Sequence, residues 1–234
     1  MTSQRLFSVS DWDGIEFVVF DVDGTLYCQR RLRVRIMRDM LVDAAARRTL
    51  DAIVILRAYR RIRERLAEEE VADFESVLIA ETAIATTRSP EQVRSMTEEW
   101  IERRPLRYLA ACRYPGLHAL FAGLRRKGTA IGILSDYPAA AKLSALGLHA
   151  EHIVCASDNG VGLLKPNPSG LQAIIAAAGK MPRQTVLIGD RADRDGAAAR
   201  RLGAWPLIKS ARPIKECATF ATFNDPVFQS VLLA

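Results

Sequence analysis

The stretch I-E-F-V-V-F-D-V-D-G-T-L-Y, residues 15–27, decides how the rest of the chain is read. Its first six residues are short, β-branched and aromatic, the composition of a strand buried on both faces. Asp21, Asp23 and Gly24 then break the apolar run where a turn is needed. Residues 130–134 (A-I-G-I-L) and 185–188 (T-V-L-I) have the same character. Each also runs into small, hydroxyl or acidic residues, first Ser135-Asp136 and then Gly189-Asp190. Weaker strand candidates lie at 152–155 and 204–208. Helical patterns separate them at 117–127, 139–146, 169–179 and 195–202, and Gly128, Gly147 and Gly203 stand where helix stops are expected. Strands alternating with helices predict an α/β fold, a doubly wound and mostly parallel Rossmann-like sheet covered on both faces. Ligands of such sheets sit at the carboxyl ends of the strands, where these acids fall.

Residues 27–113 differ. They contain no glycine and no lysine, and they are rich in Arg, Ala, Leu and Glu. Helices are expected at 32–46, 50–67, 72–85 and 90–102, the last with Ser89 as N-cap and Pro90 at the first helical position. Pro105 and Pro115-Gly116 punctuate the far side. The pattern predicts an inserted all-helical domain at 27–113, with a core domain built from 1–26 and 114–234. Residues 220–234 read as a terminal helix or extension.

The composition, 49% hydrophobic and 26% charged, excludes wholesale disorder. The longest uncharged stretch, between Lys165 and Lys180, is shorter than a membrane span and carries Pro, Asn, Ser and Gly, so no membrane segment is expected. Residues 1–10 lack the apolar run of a signal peptide. Cys28, Cys112, Cys155 and Cys217 form no CxxC pair, which disfavours zinc and a disulfide framework and makes a reducing cytoplasm the default. The net charge of +6 favours acidic partners. Residues 28–65 hold twelve arginines and four acids, whereas 66–114 hold six arginines and ten acids. Solvated helix faces of opposite sign explain this better than a nucleic-acid footprint, because a single aromatic residue, Tyr59, interleaves with the basic run.

Several carboxylates gathered at one sheet edge repel one another, and a divalent cation is the natural compensator. Mg²⁺ takes carboxylate, carbonyl and phosphate oxygens, and it removes the repulsion between an attacking carboxylate and a phosphate dianion. Four segments together resemble the signatures of the haloacid dehalogenase (HAD) superfamily of phosphohydrolases. They are F-D-V-D-G-T-L-Y at 20–27, L-S-D at 134–136, Lys165 in L-L-K-P-N-P, and I-G-D-R-A-D-R-D at 188–195. Their order and spacing agree over 15–208, and the helical insert falls where the family's C1-type cap lies.

The resemblance implies a Mg²⁺-dependent phosphatase acting on a small phosphorylated metabolite such as phosphoglycolate, a sugar phosphate or a nucleotide. Asp21 would be the nucleophile, forming an aspartyl-phosphate, and also a metal ligand. The Asp23 carbonyl and Asp190 would complete the protein ligands, with Asp195 supporting the metal shell and the lysine. The Asp23 carboxyl would protonate the leaving alcohol and then deprotonate water. Gly24 lets the backbone turn close to the phosphate. Ser135 and the Asp136 N–H would bind phosphoryl oxygens, and Lys165 would neutralise them. The family often has Asn where Asp136 stands. Asp193 is an extra acid in its loop, read equally as a solvent-facing charge. Tyr27, Arg30 and Arg31 are candidate substrate contacts, the two arginines reading equally as water-facing. His118, His149 and His152 match no catalytic position of the family. A cap without lysine disfavours Schiff-base chemistry. A phosphomutase of the same fold and a non-catalytic phospho-ligand sensor are the alternatives. The oligomeric state is open.

Overall fold

The computed structural model describes residues 6–234, so the first five residues of the expected core segment 1–26 lie outside it. The described residues form one six-stranded, all-parallel sheet in the order β3-β2-β1-β4-β5-β6. The strands are β1 Phe17–Phe20, β2 Ala130–Ser135, β3 His152–Cys155, β4 Thr185–Gly189, β5 Trp205–Lys209 and β6 Ala218–Phe220. The chain therefore steps outward from β1 to β3 on one side and then returns to β4 on the other side of β1. That reversal opens a crevice beyond the carboxyl end of β1. Phe20 is in register with Ile133 of β2 and Ile188 of β4, which brings Asp21, Ser135 and Asp190 to one edge.

All four residues of β1 are fully buried because helices cover both faces. Val18 and Phe20 face a cluster that includes Leu120, Phe121 and Leu124 of α6 (Leu117–Arg126). Phe17 and Val19 face Leu171 and Ile174 of α8 (Ser169–Ala177) and Ala198 of α9 (Ala197–Leu202). Gly147 and Gly203 end α7 (Ala140–Leu146) and α9 with φ of 65° and 78°, as helix stops should.

The carboxyl-terminal stretch, expected as a helix or extension, is helical only near its end. It contributes β6, then a short turn at Pro226–Phe228 and the single helical turn α10 (Gln229–Leu232). Phe220, Phe223 and Phe228 pack their rings 4.9–5.9 Å apart beneath the sheet, so this segment closes the core. Its three-residue strand is too short to show a period in the sequence.

Residues between β1 and α6 are helical: α1 (Gln29–Arg47), α2 (Asp51–Glu68), α3 (Phe74–Thr86), α4 (Pro90–Thr97) and α5 (Leu106–Cys112). Ser89 and Gln92 cap α4 reciprocally, at 3.2 and 3.0 Å. The helix expected over 90–102 instead widens into a π-turn at Glu98–Arg103, and α5 follows where Pro105 had been read as punctuation. Pro105 precedes the first turn of α5, a place where its missing N–H costs nothing. The two strands of chain that enter and leave this helical segment run side by side. Tyr27 and Arg113 form an antiparallel bridge, the Cys28 N–H donates to the Cys112 carbonyl at 2.9 Å, and the Tyr114 N–H donates to the Leu26 carbonyl at 3.1 Å. No helix among the described residues is long and apolar enough to cross a membrane.

Candidate active site

Asp21 leaves the end of β1 with its backbone N–H bonded to the Ile188 carbonyl at 2.9 Å. Its carboxylate is buried and held at both oxygens. Lys165 Nζ donates to Oδ1 at 2.6 Å, and Thr25 Oγ1 donates to Oδ2 at 2.9 Å. Lys165 also donates to Asp195 Oδ1 at 2.6 Å, so one buried ammonium bridges two buried carboxylates. Burial works against the Lys165 charge, but Asp195 and Asp21 outweigh it and hold the ammonium well above the ordinary lysine range.

Asp190 lies beside this pair. Carboxylate oxygens of Asp21, Asp190 and Asp195 lie within 4.8 Å of one another. Two glycines make that approach possible. A Cβ on Gly24, whose φ is 103°, would lie 2.1 Å from Asp190 Oδ2, and a Cβ on Gly189 would lie 2.2 Å from Asp195 Cγ. Burial and the neighbouring Asp195 raise the Asp190 carboxyl to about 6, and burial pushes the Asp21 carboxyl well up despite the pull of Lys165. Three carboxylates with one lysine between them carry more negative charge than the protein compensates. A hard divalent cation, with its preference for oxygen donors, fits that set.

Asp23 points to different partners. Lys142 of α7 donates to both of its oxygens, at 2.7 and 2.8 Å, and the Tyr27 hydroxyl donates to Oδ1 as well. Burial opposes the Asp23 charge, yet Lys142 and Tyr27 outweigh it and draw the carboxyl below the ordinary range. Lys142 is itself buried. No motif marks it in the sequence, although it is the one charged residue in A-A-K-L-S-A-L, an otherwise uncharged helix. A lysine in such a setting needs a buried partner, and that was the available signal.

Ser135 is fully buried and its hydroxyl accepts the Tyr137 N–H at 3.2 Å. The Asp136 carboxylate is turned toward the loop bearing Lys165, whose backbone N–H it accepts at 3.3 Å. Arg63 of α2 reaches across from the helical segment, donates to the Asp136 carbonyl and lies 3.6 Å from the ring centroid of Tyr137. Glu64, next to it, accepts from Arg191 at 2.9 Å and from Arg194 at 2.8 Å. Arg194 also donates to the Lys165 carbonyl at 2.9 Å. This clasp between α2 and the loop after β4 was hidden in an arginine-rich run that reads as a solvated face.

Most of these groups surround a cavity of about 400 Å³ between the sheet edge and the helical segment, but the buried Ser135 and Gly24 are not in its lining. Asp21, Asp23, Tyr27, Asp136, Lys165, Asp190 and Asp195 line it. Arg30 and Arg31 do not; both project into solvent from the first turn of α1, and Arg33 lines the cavity instead. Asp193 is exposed and paired with Arg191 at 2.7 Å, which matches the solvent-facing reading. None of the three histidines lines the cavity.

A family model described as hydrolase, haloacid dehalogenase-like hydrolase, matches residues 15–203. A glyceraldehyde 3-phosphate phosphatase of Methanopyrus kandleri is 26% identical over 196 residues, 81% of each chain. A phosphoglycolate phosphatase of Rhodospirillum rubrum is 28% identical over 119 residues, 48% of this chain and 49% of that one. Among solved structures, a 2-haloacid dehalogenase from Pseudomonas syringae superposes with a TM-score of 0.63 at 18% identity, covering 94% of this chain and 98% of that one. At that identity the likeness concerns the fold.

Proposed function

The chain belongs to the haloacid dehalogenase-like hydrolases, and within that family we propose that it is a Mg²⁺-dependent phosphatase of small phosphorylated metabolites. The observation that carries this reading is the second acid, Asp23, on the same cavity as Asp21 and held apart from it by its own cation, Lys142. Carbon–halogen cleavage has no use for a proton donor there. Ester cleavage needs one, because an alkoxide is a poor leaving group.

In the proposed reaction an Asp21 oxygen attacks phosphorus while the ester P–O bond breaks, leaving an aspartyl-phosphate. Asp23 rests ionised between Lys142 and Tyr27, takes up the proton that the ester brings as its monoanion, and passes it to the departing oxygen. It then takes a proton from the water that attacks the aspartyl-phosphate, which releases inorganic phosphate and restores Asp21. Lys165 offsets negative charge on the phosphoryl group, and the Ser135 hydroxyl and Asp136 N–H are its hydrogen-bond donors. Asp21, Asp190 and the Asp23 carbonyl would hold Mg²⁺, with Asp195 behind them. When bound, the ion would supply charge neutralisation for the carboxylates and the phosphate. Residues 27–113 act in this scheme as a cap domain over a core of 1–26 and 114–234, excluding water during the first step.

The test is release of inorganic phosphate from a panel of phosphate monoesters by the purified protein with Mg²⁺. Activity is expected, EDTA should abolish it and added Mg²⁺ should restore it. An inert protein would remove the proposal, and a requirement for a bisphosphate activator would favour a phosphomutase.

A further inference from the structure

The cavity has two unlike ends. One carries the acids and lysines described above. The other is walled by Leu32, Ile36 and Met40, spaced four residues apart on one face of α1, with Trp100, Ile101 and Pro105 opposite. We propose that the site takes phosphate monoesters of alcohols with a bulky apolar body, the phosphate lying at the acidic end and the body against this wall. The inference rests on the phosphatase reading and narrows its substrate class.

Three observations carry it. First, a volume of about 400 Å³ falls in the range of small-ligand pockets and leaves room beyond the phosphate. Side chains that merely packed the cap against the core would fill that space. Second, the lining has no Ser, Thr, Asn or His, and its one amide, Gln29, already accepts from Arg33. The Tyr27 hydroxyl is committed to Asp23, Arg63 to the Asp136 carbonyl, and Arg191 and Arg194 to Glu64. Arg33, Arg60 and the Tyr137 hydroxyl are the polar groups left over, too few to replace the water of a polyhydroxylated sugar. Third, the helix widens into its π-turn at the residues that present Trp100 and Ile101 to the cavity, and such widenings recur at functional sites.

The far wall is thin. Met40 and Trp100 also line a second chamber of about 310 Å³. Trp100 is braced by the Arg104 guanidinium 3.9 Å from its ring centroid, whereas Met40 has a flexible unbranched side chain. Met40 thus limits how long a body the cavity accepts.

The experiment measures kcat/KM with Mg²⁺ for n-alkyl phosphates from ethyl to octyl, for phenyl phosphate, and for phosphoglycolate and glucose 6-phosphate. Each methylene buried should raise kcat/KM by roughly fourfold until the wall is met. Phenyl and mid-length alkyl phosphates should exceed phosphoglycolate and glucose 6-phosphate. Met40→Ala should move the optimum to a longer chain. If phosphoglycolate or glucose 6-phosphate is preferred and the alkyl series is flat, the inference falls and the phosphatase reading stands. If no ester is hydrolysed, both fall. An unmoved optimum in Met40→Ala overturns the placement of the alkyl body. Should that variant not fold, binding to the Asp21→Asn protein gives the same information. Hexyl phosphate should then show a more negative heat-capacity change than ethyl phosphate, and equal values overturn the inference.

Discussion

The sheet edge and the helical segment between β1 and α6 both carry dense charge, but they use it differently. At the edge the charges are buried and shared: Lys165 is 5% exposed and serves both Asp21 and Asp195. In the helical segment many of the pairs lie in water. Arg65–Glu81 and Arg88–Asp51 join helices across surfaces more than a third exposed, where such pairs contribute little. A buried pair broken on one side leaves an uncompensated charge, whereas a surface pair broken on one side leaves a solvated one. Sensitivity to substitution should therefore fall steeply from the sheet edge to the cap, and the variants below test that gradient.

Asp21→Asn should have the largest effect. An amide cannot form the acyl phosphate, so turnover should drop on the order of 10⁴-fold or more. The fold should survive, because the amide oxygen can still accept from Lys165 or Thr25 and one of three crowded negative charges is gone. Phosphate release and a thermal melt on the same preparation check both halves. A normal rate would remove the nucleophile, and a collapsed melt would show Asp21 to be structural.

Lys142→Met should come next. The substitution keeps a long side chain in α7 but leaves Asp23 with Tyr27 as its remaining partner. Losing a charged hydrogen-bond partner in a buried site costs about 1–3 kcal/mol, which corresponds to roughly 5- to 150-fold in kcat if the loss is felt in the transition state. KM should change less than kcat, and Lys142→Arg should recover part of the rate. A change confined to the melting temperature would mean that Lys142 only supports the fold.

What could be seen in the sequence follows the same division. Residues at the sheet edge were legible because each acid sits at the end of a short apolar run, and the parallel fold brings such ends together. Asp21, Ser135 and Asp190 needed only the order of strands, whereas Lys165, which follows no strand, was marked by the family resemblance alone. Lys142 was not legible as a partner of Asp23, since the contact spans 119 residues and depends on how α7 returns past β1. In the cap, helix existence was legible from composition, but the widening at Glu98–Arg103 and the helix after Pro105 were not. Propensity does not encode a change in turn width. Arg63 and Glu64 lay among twelve arginines and four acids, and nothing local separates the residue that crosses to the core from those that face water.

The smallest effect should belong to Glu64→Gln, which sits where the two regions meet. Its side chain is 54% exposed, while its partner Arg194 is 6% exposed and keeps its bond to the Lys165 carbonyl. Exposure discounts the pair, so the loss should stay below about 1 kcal/mol, or a melting shift under roughly 4 °C for a chain of this size. The functional effect should be larger than the thermal one, because this clasp ties the cap to the loop that carries Asp190 and Asp195. KM should rise severalfold and become insensitive to salt, whereas the wild-type KM should rise as salt screens the clasp. The pH dependence has a definite sign. Burial opposes the Glu64 charge, but Arg191 and Arg194 outweigh it and hold the carboxyl below the ordinary glutamate range. Its contribution is therefore complete above the unfolded value and is lost only as pH falls through the lower folded value, so mild acid should leave the clasp closed. A wild-type KM unaffected by salt, or equal to that of Glu64→Gln at low salt, would mean that the apolar contacts of the cap hold it shut without help from charge.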